Sequence, residues 1–86
     1  MPTISVFYGI VIRMYFNDHP PPHFHARYGE DEATIEIESV RVLAGALPKR
    51  ALELVTAWAV AHRAELLGNW HDCRDNRTPA KIEPLV

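Results

Sequence analysis

Three prolines in a row, Pro20-Pro21-Pro22, divide this chain. They withdraw three backbone donors and favour a stiff polyproline II path, so residues 17–22 can belong to neither helix nor regular sheet. The segments on either side must be separate elements. Residues 10–16 are rich in β-branched and aromatic side chains and follow Gly9, which predicts a strand. A period of two puts Ile10, Ile12, Met14 and Phe16 on one face and Val11, Arg13 and Tyr15 on the other. Residues 3–8 read as a further short strand or an extended arm.

The strand pattern resumes after the prolines. Phe24, Ala26 and Tyr28 share one face; His23, His25 and Arg27 share the other. Gly29-Glu30 is a turn signal, and residues 32–38 alternate again, with Ala33, Ile35 and Ile37 against Thr34, Glu36 and Glu38. A two-residue loop at Gly29-Glu30 sets Arg27 opposite Glu32, His25 opposite Thr34 and His23 opposite Glu36. A four-residue loop sets His25 opposite Glu36 and His23 opposite Glu38. Both keep the apolar residues together, because the parity is the same.

Residues 39–46 form a connection with room for a short strand at 40–43. Pro48 suits the first position of a helix. Beyond it Ala51, Leu54, Val55, Trp58, Ala59, His62, Leu66 and Trp70 fall within one arc of a helical wheel, while Lys49, Glu53, Thr56 and Arg63 lie outside it. One long helix is expected, running on to Cys73, with Gly68 as its weak point. Residues 75–79 form a loop, and Ile82 and Leu85 mark a closing strand or packed tail. The expected fold is α+β: a small antiparallel meander of three or more strands with one long helix on its apolar face, forming a single domain over residues 1–86.

Composition narrows the function. Hydrophobic residues make up 48% and charged residues 23% of the 86, an ordinary globular balance. Nine basic and 11 acidic residues leave a formal net charge of -2, which argues against a generally basic nucleic-acid binder. A lone cysteine, Cys73, cannot form an internal disulfide and is expected to be inert. No stretch reaches the roughly 18 apolar residues of a membrane span, and the start lacks the pattern of a signal peptide. A cytoplasmic setting is the expectation. Glycine-rich phosphate loops, Cys-x-x-Cys pairs and nucleophile elbows are missing from the sequence.

Three groups of residues are candidates for chemistry. In the run from His19 to Ala26, His23 and His25 point the same way from their strand, and these two imidazoles could hold a metal such as zinc or act as general acid and base. They could equally be an exposed strand face paired with glutamates. The spacing on to Glu30 matches the start of a cupin metal site, but the second half of that pattern is missing and the chain is too short for the barrel. The second group is the face bearing Arg13, Tyr15, His23, His25 and Arg27, suited to phosphate or a stacked base. It could also be a solvated face with a few weak ion pairs. The third is the inward line of the helix, where His62 follows Trp58 by one turn and Glu65 and Asn69 continue. A lone histidine there is more often a hydrogen-bonded core residue than a ligand. His62 lies on the opposite side of the sheet from His23 and His25. The two meet only if the sheet edge twists around the helix end or a second chain supplies the missing half.

A family pattern runs through these residues. Met1-Pro2-Thr3-Ile4-Ser5, Phe7-Tyr8-Gly9-Ile10-Val11-Ile12, Phe16-Asn17-Asp18-His19-Pro20-Pro21-Pro22-His23-Phe24-His25-Ala26, Leu47-Pro48-Lys49-Arg50-Ala51-Leu52, and then Trp58, His62, Glu65-Leu66 and Asn69-Trp70 together resemble the family called Domain of Unknown Function 4160. Cys73 and residues 40–44 fall outside the signature. The resemblance implies a small bacterial protein encoded beside a second small protein, of the kind found in toxin–antitoxin modules, and carries no settled activity.

The resulting expectation is a toxin–antitoxin-type component that contacts RNA or a protein partner through its His/Arg face. As an enzyme it would be a metal-independent ribonuclease. One of His23 and His25 would be the base for the ribose hydroxyl and the other the acid, with Arg13, Tyr15 and Arg27 binding and His19, His62 and Glu65 in reserve. No cofactor and no tightly held metal are expected, since two histidines supply only half of a closed zinc shell. The rivals are a non-catalytic interaction module, an antitoxin or adaptor pairing through its sheet edge or the Trp70 end of the helix, and a small metal-binding protein. A second copy of the chain and a protein encoded nearby are the candidate partners.

Overall fold

A computed structural model describes residues 2–86; Met1 of the signature lies outside them. Five strands, β1 (Thr3–Phe7), β2 (Ile10–Arg13), β3 (His23–Tyr28), β4 (Asp31–Glu36) and β5 (Val42–Gly45), form an antiparallel meander in the order β1-β2-β3-β4-β5. Two helices follow, α1 (Lys49–Ala61) and α2 (Arg63–Arg74). The class is α+β. Among the described residues no helix is long and apolar enough to cross a membrane.

Turn chemistry sets the registers. The β1–β2 loop, Tyr8-Gly9, has positive φ at both residues (49° and 78°), as a tight two-residue hairpin of matching twist requires. The β3–β4 loop is the two-residue alternative, with His23 opposite Glu36, His25 opposite Thr34 and Arg27 opposite Glu32. Gly45 ends β5 at φ 75°, where a Cβ would stand 2.2 Å from the Glu32 carbonyl oxygen, so only glycine fits.

The inner face carries Phe7, Ile10, Ile12, Phe24, Ala26, Ala33 and Ile35, all buried, and Val55, Trp58 and Leu66 close over it. Trp58 is fully buried at the centre, its ring 5.3 Å from Phe7 and 5.9 Å from Phe24. Its indole N–H donates to the Glu83 carbonyl at 2.8 Å. The tail takes the packed form. The Ile82 N–H donates to the Ile4 carbonyl at 2.8 Å, and Ile82 is buried.

Two expectations need correction. Strand β2 ends at Arg13 instead of residue 16, and Phe16 is 42% exposed instead of sharing the inner face. The prolines explain this: Arg13 pairs with His25, so continued register would bring Phe16 to Pro22, which has no N–H to offer. The chain turns at Asn17 instead (φ 55°), whose N–H donates to the Cys73 carbonyl at 3.3 Å. The expected single long helix is two, and the break lies at His62 (φ -121°) while Gly68 sits inside α2. The His62 N–H is shared between the Trp58 and Ala59 carbonyls, its own carbonyl accepts from Leu66, and its ring packs on Trp58 at 5.6 Å and bonds Glu65 at 2.6 Å. Hydrogen bonding is thus satisfied on both sides of a residue that leaves helical torsion.

Candidate metal centre

Strand parity sends His25 to the outer face of the sheet, directly across from Arg13. His23 opens β3, and Asp18 stands in the turn before the prolines. The chain returns through a cis Pro20–Pro21 peptide, and the three side chains meet. His23 Nε2 lies 2.9 Å and His25 Nε2 3.1 Å from the same oxygen, Asp18 Oδ2. One donor atom from each residue falls within 4.8 Å of the others.

Each of these groups is also tied from behind. The His23 Nδ1–H donates to the Pro21 carbonyl at 2.7 Å. His25 Nδ1 faces the Thr34 hydroxyl at 3.4 Å and Glu32 Oε2 at 3.6 Å. Asp18 Oδ1 accepts the His19 backbone N–H at 2.9 Å, which leaves Oδ2 for the imidazoles. His23 is buried, and the Trp70 ring backs it at 5.1 Å with the Arg74 guanidinium 6.0 Å over that indole. The Tyr15 ring stacks 4.3 Å from His25.

The tautomers follow from the partners. A carbonyl only accepts, so His23 carries a proton on Nδ1. Its Nε2 faces a carboxylate oxygen, which also only accepts, so a second proton or a cation must stand between them. An arrangement of lone pairs and carboxylate around one point is what a cation completes. Burial alone would raise the Asp18 carboxyl; hydrogen bonds from His25, the His19 N–H and His23, with the charge His23 can carry, outweigh it and hold it below the ordinary carboxylate value.

The other expected residues fall differently. Glu36, across from His23, takes the Ser39 hydroxyl, so the carboxylate that meets His23 is Asp18. Arg13 and Tyr15 stand beside His25, but Arg27 is exposed and folds back to the Gly29 carbonyl at 2.9 Å. The His19 ring is exposed and its backbone is the part that engages Asp18. His62 and Glu65 bond each other at the helix break. Cys73 is buried, its thiol pushed up by burial and by the Asp72 charge, which fits an inert residue. Asp18 was not among the residues expected from sequence. Its signal was there: a carboxylate in the turn that opens the proline run, five residues before His23.

Meander, paired helices and this trio define a small α+β protein built around its second connection. Residues 9–71 match the model of the family described as Domain of unknown function (DUF4160), and the chain belongs to that family. No curated protein and no solved structure matches it.

Proposed function

We propose that this is a small metal-binding protein whose centre is Asp18, His23 and His25, taking a divalent transition ion such as zinc. One observation carries the reading: both Nε2 atoms converge on Asp18 Oδ2 while Pro21, Thr34 and the His19 N–H hold the far side of each ligand. Metal-bound histidines are typically oriented in this way. Zinc at about 2.0–2.2 Å from each donor needs donors roughly 3–3.5 Å apart; the two histidine–carboxylate separations are 2.9 and 3.1 Å, and all three donor atoms lie within 4.8 Å of one another. Three protein ligands leave a coordination position open, the pattern of reactive rather than closed structural sites. Two histidines and one carboxylate also suit iron(II), so the ion is one of the quantities to measure.

The same contacts weigh against a metal-independent ribonuclease. A general acid–base pair needs its two nitrogens set apart on either side of the reacting phosphate, whereas both Nε2 atoms here converge on the single oxygen Asp18 Oδ2, which suits a shared cation better. Glu32 and Glu36 on the outer face interrupt the continuous basic track that a long RNA chain needs, while leaving room for a single phosphate. A second reading, a toxin–antitoxin-type component in the bacterial cytoplasm that contacts RNA or a protein encoded nearby, is supported by Arg13 and Tyr15 beside His25. Cleavage of mixed RNA that survives a chelator would favour it over the metal reading.

The direct test uses untagged protein stripped with a chelator and titrated with zinc and with iron(II) under reducing conditions. One equivalent should bind. Asp18→Asn and His25→Ala should each weaken it at least tenfold with the circular dichroism spectrum unchanged. At free metal 100 times Kd the parent should gain about 2.7 kcal/mol of stability. Failure of both metals to bind, or binding indifferent to both substitutions, would overturn the proposal.

A further inference from the structure

Arg13 is the one arginine of the chain that is half-buried; the others are exposed. It sits directly opposite His25 across β2 and β3, on the outer face, where opposed side chains stand roughly 5 Å apart at Cβ. Its guanidinium makes no side-chain hydrogen bond and no ion pair with any described residue. Arg27, Arg50, Arg63 and Arg77 each have an acceptor; Arg41 and Arg74 have none either, but both are exposed, and Arg74 lies over the Trp70 ring. The Arg13 guanidinium nitrogens still meet water, since the one buried side-chain N or O atom without a partner among the described residues is Ser5 Oγ, so the fork of five donors is free to take an anion.

We infer that Arg13 and the metal at Asp18, His23 and His25 together form a site for a phosphate group, an inference that rests on the metal reading above. Geometry selects the anion. A tetrahedral phosphate can place one oxygen on the open coordination position and still offer two others to the guanidinium fork. A carboxylate has only two oxygens and cannot serve both partners without sharing one. Tyr15 lies against the His25 ring at 4.3 Å on the same side. The phosphate group is common to the free ion and to a nucleotide diester, and the site meets solvent: the His25 side chain keeps 15% of its surface and that of Asp18 21%.

The test is done on zinc-loaded protein, with zinc stoichiometry measured first for parent, Arg13→Gln and Arg13→Lys. All three should hold one equivalent, because Arg13 is no ligand. Calorimetric titration with inorganic phosphate, a ribodinucleotide and acetate follows. At least one of the phosphate probes should bind, acetate should bind more weakly, and Arg13→Gln should lose about tenfold to a hundredfold in phosphate affinity, the loss expected for charge-assisted hydrogen bonds. Arg13→Lys should fall between, keeping the charge without the fork. Whichever of the free ion and the diester binds more tightly names the source. If the parent takes no zinc, the metal reading has failed. If zinc binds but phosphate binding ignores Arg13, or acetate matches phosphate, this inference alone has failed.

Discussion

Helices α1 and α2 have nearly the same length, 13 and 12 residues, and bury different chemistry. α1 buries Ala51, Val55, Trp58 and Ala59, all apolar and all against the sheet core. α2 buries Leu66 and Cys73 but also Asn69 and Trp70, and these hold irregular chain. Asn69 pairs its amide with both backbone groups of Ala80, at 2.8 and 3.1 Å. Trp70 backs His23, and the Cys73 carbonyl receives Asn17 from the turn that carries Asp18. The first helix makes the core; the second fastens the tail and the candidate metal centre to it. A helical period tells which side of a helix is covered and is silent on what covers it.

That contrast is open to test. The largest effect is expected in α1. Trp58→Ala empties the middle of the only extended core and strands the Glu83 carbonyl, and should cost about 3–5 kcal/mol. Against a total near 5–10 kcal/mol for a domain of this size, the variant should be largely unfolded on mild heating. Urea denaturation followed by circular dichroism reads it. A variant that melts like the parent would mean that α1 does not organise the core.

In α2 the expected effect is smaller and local. Asn69→Ala removes two hydrogen bonds and frees the backbone of Ala80, at a cost of about 1–3 kcal/mol. Amide exchange should rise at Ala80 and Ile82 before it rises in β2 or β3. Uniform loss of protection instead would show that α2 belongs to the core as fully as α1 does.

How much of this was legible follows the same line. Alternation in β3 and β4 placed Phe24, Ala26, Ala33 and Ile35 inside and His25 and Arg13 outside, because parity is a property of neighbouring residues. Parity does not choose between a two-residue and a four-residue loop after Tyr28, since both keep it; the structure takes the two-residue one, with Tyr28 opposite Asp31. Asn69 stands on the inward stripe, but its role is not legible there, because its partner Ala80 lies in a tail with no periodic pattern. Asp18 was passed over because its role depends on where a proline-rich connection returns, a matter of three-dimensional path. The break at His62 carries no proline or glycine, the usual marks of a kink.

Gly68 gives the smallest and sharpest test of α2. From sequence it is the natural place for the helical segment to fail, and in the structure it lies exposed in the middle of a continuous helix, six residues beyond the break. A Cβ added there meets nothing within 4 Å, and its φ is not in the left-handed region. Glycine in such a position costs conformational entropy with no return in packing. Gly68→Ala should therefore stabilise the protein by about 0.5–1 kcal/mol. In a domain of this size that raises Tm by roughly 2–8 °C, with the urea slope unchanged and zinc binding as in the parent. The contrasting control is Gly45→Ala, which drives a methyl into the Glu32 carbonyl and should destabilise. If Gly68→Ala lowers Tm or weakens zinc binding, α2 bends at Gly68 in solution, and the division of labour between the helices lies there and not at His62.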